Sequence, residues 1–118
     1  MAAREQDVLR RAGEVSVLIL VSLADGPKHG YALIQDIVAF TGIRLGPGTL
    51  YGAIGRLEQR GLIEGLEADG RRRPYQLTAQ GHSSLAAALA EWDSIVREGM
   101  SRLSGRPAAA PAIRAGTT

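Results

Sequence analysis

Arginine supplies most of the side chains that could do chemistry in this 118-residue chain. Arg71, Arg72 and Arg73 stand in a row, and Arg56 and Arg60 lie a short way before them. Guanidinium groups hold phosphate through several donors at once, so we expect the middle third of the chain to face an anion. A coding preference for arginine over lysine would explain the bias equally well, and the net charge of +2 argues only weakly. The position of the arginines along the chain, rather than their number, therefore favours an anion-binding region.

The sequence offers little for metal binding or catalysis. It has no cysteine, and its two histidines, His29 and His82, are too few for an all-histidine metal site. No acid stands at a predictable position to orient His82 towards the serines that follow it. The segment Gly46-Pro47-Gly48 begins like a phosphate-binding glycine loop but lacks the preceding strand. We therefore expect no cofactor, no metal site and no enzymatic activity.

The composition is typical of a soluble globular domain, with 45% hydrophobic and 22% charged residues. The longest apolar run, over residues 15–24, is shorter than the roughly 20 residues that a membrane span needs. No basic leader or small-residue cleavage site accompanies it, so a secretory signal is not expected. These features predict a cytoplasmic protein with one hydrophobic core.

Apolar periodicity predicts four helices. The first covers residues 14–23, and the second begins near His29 and ends at Gly42. Pro47 is suited to the first position of a third helix, which ends near Gly61. Thr78 can cap a long fourth helix over residues 79–103.

Residues 62–78 change to a two-residue period, which predicts a hairpin of two short strands. The Asp69-Gly70 pair between them favours a tight turn, because both residues tolerate positive φ. Pro74 has no amide hydrogen to donate, so we expect it at a sheet edge.

Three helices, a hairpin and a further helix form the plan of a winged helix-turn-helix, a mainly α fold with a small β-hairpin. We predict a winged helix-turn-helix DNA-binding domain over residues 1–78 and a C-terminal dimerisation helix over residues 79–104. Residues 105–118, rich in alanine, proline, glycine and threonine, are predicted to be a disordered tail.

The third helix has an apolar stripe for the core and a nearly bare opposite face, which carries Gly52 and Gly55. Each interior glycine costs about 1 kcal/mol relative to alanine, so these two require an explanation. Either the face approaches DNA closely, or another helix packs on it. In the first case Thr49, Tyr51 and Arg56 would contact phosphates or base edges. Because this face has few long polar side chains, the discrimination between DNA sequences would depend partly on DNA shape.

The wing would place Arg71, Arg72 and Arg73 beside DNA phosphates. A run of charge is also a common feature of a solvated surface, and it is the adjacent third helix that favours DNA binding.

The fourth helix carries an apolar stripe with coiled-coil spacing. The stripe could pack back on its own domain, but we favour a homodimer, because the core helices already cover one another. Trp92, in the middle of the stripe, either fills the dimer core or lines a cleft that binds a flat effector. The predicted dimerisation residues are Leu85, Leu89, Trp92, Val96 and Leu103.

Several motifs in order closely resemble the PadR family of bacterial transcriptional regulators. They are Gly26-Pro27-Lys28-His29-Gly30-Tyr31, Pro47-Gly48-Thr49-Leu50-Tyr51, Arg56-Leu57-Glu58, Gly61-Leu62-Ile63, Gly70-Arg71-Arg72-Arg73 and Leu77-Thr78-x-x-Gly81. The resemblance implies a homodimeric repressor that binds an inverted-repeat operator in double-stranded DNA and is released by an effector. The single C-terminal helix is similar to the short subfamily, in which some members stack planar aromatic or phenolic compounds on a tryptophan; Trp92 matches that position.

Two other functions fit the same sequence. A winged fold can serve as a protein-interaction module without DNA, which the modest charge and the bare third helix would suit. A small-molecule sensor or sequestering protein could instead act mainly through Trp92.

Overall fold

The chain folds into helices and a small sheet, seen in a computed structural model that describes residues 14–105. The predicted winged helix-turn-helix with a long C-terminal helix is confirmed. In chain order the elements are α1 (14–23), β1 (Lys28–His29), α2 (Gly30–Thr41), α3 (Pro47–Gln59), β2 (Ile63–Gly65), β3 (Pro74–Leu77) and α4 (Ala79–Leu103).

The chain divides into two compact units after Leu85, which lies inside α4. The predicted boundary at residue 78 placed the whole of α4 in the second unit. The first turns of α4 instead belong to the first unit, where Leu85 is buried in the core. The predicted tail lies outside the described residues except for Gly105.

The sheet has three antiparallel strands in the order β1-β3-β2. The sequence predicted only the hairpin of β2 and β3, because a two-residue strand is too short to show alternation. β3 is therefore central, and the expectation that Pro74 lies at a sheet edge was wrong. Pro74 is tolerated because it is the first residue of its strand, and its carbonyl accepts a hydrogen bond from the Leu66 amide at 2.8 Å.

The hairpin turn forms at the Asp-Gly pair, as predicted. The Asp69 amide donates to the Arg72 carbonyl at 2.7 Å, and the Arg72 amide donates back to the Asp69 carbonyl at 3.1 Å. Gly70 lies between them with a φ of 67°, a conformation that glycine adopts without strain. This turn fixes the position of the arginine run at the tip of the wing.

Local signals set the ends of α2. The Nδ1 atom of His29 caps the helix by accepting a hydrogen bond from the Ala32 amide at 3.5 Å. Gly42 ends the helix with a φ of 79°, and its amide donates to the Val38 carbonyl. His29 is thus a helix-start residue, as the sequence indicated.

The other two predicted starts are also observed. Pro47 is the first residue of α3, where its missing amide hydrogen costs nothing. The Thr78 hydroxyl caps α4 by accepting from the Gly81 amide at 2.9 Å, and it donates to the Gly61 carbonyl at 2.6 Å. Thr78 thereby joins the start of α4 to the end of α3.

The core of the first unit forms between the helices and β2. It holds the predicted inner stripe of α3, since Leu50, Ile54 and Leu57 are almost completely buried. The Ser22 hydroxyl, which is also buried, donates to the Asp36 carboxylate at 2.6 Å and links α1 to α2. Within residues 14–105 the buried apolar residues are Val15, Ile19, Leu20, Leu23, Leu33, Ile37, Leu45, Leu50, Ala53, Ile54, Leu57, Ile63 and Leu85.

The start of α4 packs directly on the backbone that leads into β2. Gly81 is buried, and a Cβ atom placed on it would overlap the Leu62 carbonyl oxygen and lie 2.9 Å from the carbonyl carbon. The same carbonyl accepts a hydrogen bond from the Thr78 amide at 3.1 Å. Neither partner can move away, so this approach requires glycine.

We predict that Gly81→Ala lowers the free energy of unfolding by about 1–3 kcal/mol, the usual cost of overpacking. Gly55→Ala in α3 is the matched control, because nothing lies within 4 Å of its added Cβ. The control should raise stability by about 1 kcal/mol through helix propensity. Urea denaturation of both variants measures the difference, and equal stability would contradict the close packing.

Candidate nucleic-acid interface

The outer face of α3 is open to solvent. Thr49, Tyr51 and Arg56 are all exposed, as the helical wheel predicted. A Cβ on Gly55 would meet nothing within 4 Å, and one on Gly52 would meet only the Nη1 atom of Arg56 at 3.6 Å. Among the described residues of the first unit, therefore, no helix packs on these two glycines. Of the two explanations for the glycines, close packing by another helix is not observed among the described residues of the first unit.

The three arginines of the wing are exposed but not equivalent. Arg71 and Arg72 lie at the turn, where the hairpin is tightest. The guanidinium of Arg73 instead lies over Gly65 of β2, so that a Cβ on Gly65 would come 2.6 Å from Nη2 and 2.7 Å from Cζ. Arg73 is therefore held against the sheet.

Tyr51 of α3 is seated on the first residue of α2. A Cβ on Gly30 would lie 2.7 Å from the Cζ atom of the Tyr51 ring and would overlap its hydroxyl oxygen. Gly30 is buried, while about half of the Tyr51 side chain remains exposed. The phenol thus packs against α2 with one side and faces solvent with the other.

These side chains meet at a cleft of about 260 Å³ between the wing, α3 and the start of α2. It is lined by residues 29–31, 71–73, Tyr51 and Tyr75. The structure thus brings Tyr51 together with all three wing arginines, as a DNA-binding surface would require. Thr49 and Arg56 are exposed on α3 but do not line the cleft.

Sequence reasoning missed the contribution of Tyr31 and Tyr75 to this cleft. The helical spacing of apolar residues in α2 includes Tyr31 and so favours its burial, yet Tyr31 is 62% exposed and its hydroxyl accepts a hydrogen bond from the Gln35 side-chain nitrogen at 3.0 Å. Tyr75 pairs with Lys28 across the sheet, a pairing that depends on the unpredicted β1. The one available signal was the position of Tyr75 directly after the arginine run and Pro74.

The pKa of the Tyr75 phenol is raised above its ordinary value. Burial raises its pKa, because the charged phenolate is poorly solvated there. The Glu58 carboxylate raises it further by repulsion, and the Arg73 guanidinium acts in the opposite direction. Tyr75 therefore remains a neutral hydroxyl, able to donate a hydrogen bond, across the physiological pH range.

The apolar stripe of α4 is exposed beyond the first unit. Leu89, Trp92, Val96 and Leu103 are 40–86% exposed, and Ile95 and Met100 extend the same surface. Leu85 differs, because it is 6% exposed and belongs to the core of the first unit. The prediction of Leu85 as a dimerisation residue is therefore wrong, since its side chain is already buried within the protomer.

Two kinds of site are absent from the described part of the chain. Over residues 14–105, no group of three or more His, Asp or Glu side chains is arranged to hold a metal ion. In the same range no helix has both the length and the apolarity needed to cross a bilayer.

The fold and the basic cleft define a winged helix-turn-helix protein of the DNA-binding type. Residues 19–87, more than half of the chain, match the family described as "Transcriptional regulator PadR-like family". The chain belongs to this family, which confirms the resemblance seen in its motifs. The family consists of transcriptional regulators and not of enzymes.

Individual proteins show the same relationship. A protein named "Uncharacterized 37.1 kDa protein in transposon TN4556", from Streptomyces fradiae, is 45% identical over 96 residues, which are 81% of this chain and 26% of that protein. Transcriptional regulator Rv3488 of Mycobacterium tuberculosis is 38% identical over 87 residues, or 71% of this chain and 80% of that one. The chain thus spans about a quarter of the first relative and four fifths of the second.

A solved structure agrees with this assignment. A transcriptional regulator from Clostridium thermocellum superposes with a TM-score of 0.67 at 29% identity, covering 81% of this chain and 93% of that one.

We predict opposite effects on the pKa of Tyr75 from two substitutions. Glu58→Gln should lower it by removing a repulsive negative charge, and Arg73→Ala should raise it by removing the cation that favours phenolate. Nuclear magnetic resonance of labelled tyrosine rings, followed against pH, measures both shifts. Glu91→Gln on α4 is the control and should leave the pKa unchanged; a shift of the same sign in both test variants would contradict the geometry.

Proposed function

We propose that the protein is a homodimeric repressor that binds an inverted-repeat operator. The observation that carries this proposal is the open face of α3 beside a cleft lined by the wing arginines. The glycines at positions 52 and 55 together cost about 2 kcal/mol of helix stability and serve no packing inside the described chain. Close approach to a partner offsets that cost, and the adjacent arginines favour a partner that carries phosphate.

In this proposal α3 enters the major groove of the operator. Thr49, Tyr51 and Arg56 contact phosphates or base edges, and Arg71 and Arg72 contact the backbone from the tip of the wing. The bare face leaves few side chains for base readout, so part of the discrimination comes from DNA shape.

The proposed dimer forms through the stripe of Leu89, Trp92, Val96 and Leu103. Such a large exposed apolar surface is unusual for a monomer in water, and its spacing is that of a coiled coil. A two-fold dimer would present two copies of α3 to half-sites about one helical turn, or roughly 34 Å, apart.

We also propose that a small-molecule effector binds between the two subunits at Trp92. Trp92 is 45% exposed in the middle of the stripe, and its indole could stack on a planar aromatic or phenolic compound between the two subunits. Binding there would alter how the two copies are held and so release the operator.

We expect the protein to prefer duplexes from its own promoter region over scrambled duplexes, with an affinity that falls steeply as salt is raised. Arg72→Ala should weaken binding to all sequences and reduce the slope of log affinity against log salt by about 1. Fluorescence anisotropy with labelled duplexes measures both quantities. Arg102→Ala on α4, whose guanidinium pairs with Glu98, is the matched control and should bind normally.

One result would contradict DNA binding. If the wild-type protein showed no preference for promoter DNA and no dependence on salt, the alternative of a protein-interaction module would be favoured. Co-purification of a protein partner that is lost on Gly52→Arg would then identify the α3 face as its binding surface.

We expect Val96→Glu to convert the dimer into monomers, because it places a charge in the centre of the apolar stripe. Ser94→Glu, on the opposite face of the same helix, introduces the same side chain and should leave the dimer intact. Sedimentation velocity at several concentrations distinguishes the two species. A wild-type protein that remains monomeric at working concentrations would refute the proposed dimer.

A further inference from the structure

Two glycines in the first unit each leave room for the end of one polar side chain. Gly30 makes room for the Tyr51 phenol, and Gly65 makes room for the Arg73 guanidinium. An alanine at either position would place its Cβ within 2.7 Å of the Cζ atom of that side chain, closer than real contacts of this kind. Each glycine therefore permits a side-chain position that no other residue would allow.

Both of these side chains line the same cleft. Tyr51 reaches it from α3, Arg73 reaches it from the wing, and Tyr75 of β3 also lines it. The first residues of the 12-residue helix α2 also line it, which adds the partial positive charge of a helix N-terminus. The lining residues, all within the described range, include three arginines and no carboxylate.

The chemistry of this cleft fits one kind of group. Guanidinium groups donate hydrogen bonds and accept none, and neutral phenols can donate as well. A phosphate only accepts hydrogen bonds, so every lining donor can be used, and several arginines in one cleft suit its negative charge.

We propose that the cleft is a preformed site for one phosphate of the DNA backbone, with Gly30 and Gly65 as positioning residues that hold Tyr51 and Arg73 at it. The inference rests on the proposed DNA-binding function and deepens it by naming what this cleft binds. Arg73 supplies a charge-assisted hydrogen bond, and the Tyr51 hydroxyl supplies a second donor from the recognition helix. One phosphate thus joins α3 to the wing and fixes the register of both on the duplex.

The test uses Gly30→Ala and Gly65→Ala in the full chain. Neither glycine has a positive φ, and the displaced atoms are the ends of exposed side chains, so both variants should fold with an unchanged or higher melting temperature. We expect each substitution to weaken duplex binding roughly tenfold, as the loss of a hydrogen bond to a charged group would. The loss should be equal for promoter and scrambled duplexes, because a backbone contact reads no sequence.

Double mutants show whether Gly30 acts through the position of Tyr51, and whether Gly65 acts through the position of Arg73. Gly30→Ala should cause no further loss in a Tyr51→Ala background, and Gly65→Ala none in an Arg73→Ala background. Gly65→Ala should also raise the pKa of Tyr75, as Arg73→Ala does, because it moves the guanidinium away. A purely structural role for Gly65 would leave that pKa unchanged.

The outcomes separate this inference from the proposed function. If the wild type binds no duplex, both fail together. If the wild type and the Arg72→Ala variant behave as a DNA-binding protein should, but both glycine variants bind normally, only the phosphate site is refuted. Additive losses in the double mutants would refute the positioning role.

Two further results would overturn the assignment to backbone phosphate. A loss confined to promoter DNA would show that the cleft reads bases. Calorimetric titration with inorganic phosphate would assign the cleft to a free phosphorylated ligand if both glycine variants lost that binding but kept their affinity for duplex.

Discussion

Burial of one stripe of α3 is the constraint on which the rest of the interface depends. Leu50, Ile54 and Leu57 are held in the core, so the opposite face of the helix has to point outwards. That orientation puts Tyr51 at the edge of α3, where it reaches α2 on one side and the cleft on the other. The hydrophobic effect supplies this orientation without any contribution from the side chains that would bind DNA. Folding and recognition therefore use separate faces of the same helix.

Glycine has a different purpose at each place where the structure uses it. At Gly81 it allows backbone to meet backbone, and nothing nearby can move. At Gly30 and Gly65 it allows a side chain to be seated, and the seated group could swing away. At Gly52 and Gly55 it leaves surface that the described chain does not fill. The first use concerns stability, the second concerns geometry at the cleft, and the third concerns access to α3.

The sequence predicted most of the helices and strands, but it did not predict which side chains meet at the cleft. Turn and cap residues such as Gly42, Pro47 and Thr78 act locally, so their effects can be read from neighbouring positions. The pairing of Lys28 with Tyr75 joins residues far apart in sequence through a strand of two residues, which leaves no periodic pattern. The role of Tyr75 at the cleft depends on that pairing, and the sequence predicted neither this role nor that of Tyr31. Leu85 was assigned to the stripe of α4 because its spacing fits, whereas the structure places it in the core.

The central position of β3 has a consequence for the energetics of association. A hairpin that hangs free at the edge of a domain has to be immobilised when it meets its target, and the entropy lost in doing so weakens binding. Here β3 is hydrogen-bonded on both sides, to β2 and to β1, and β1 runs directly into α2. The base of the wing, at Pro74 and Tyr75, is thus held by the body of the domain before DNA is met, which reduces the entropy that this part of the hairpin loses on binding.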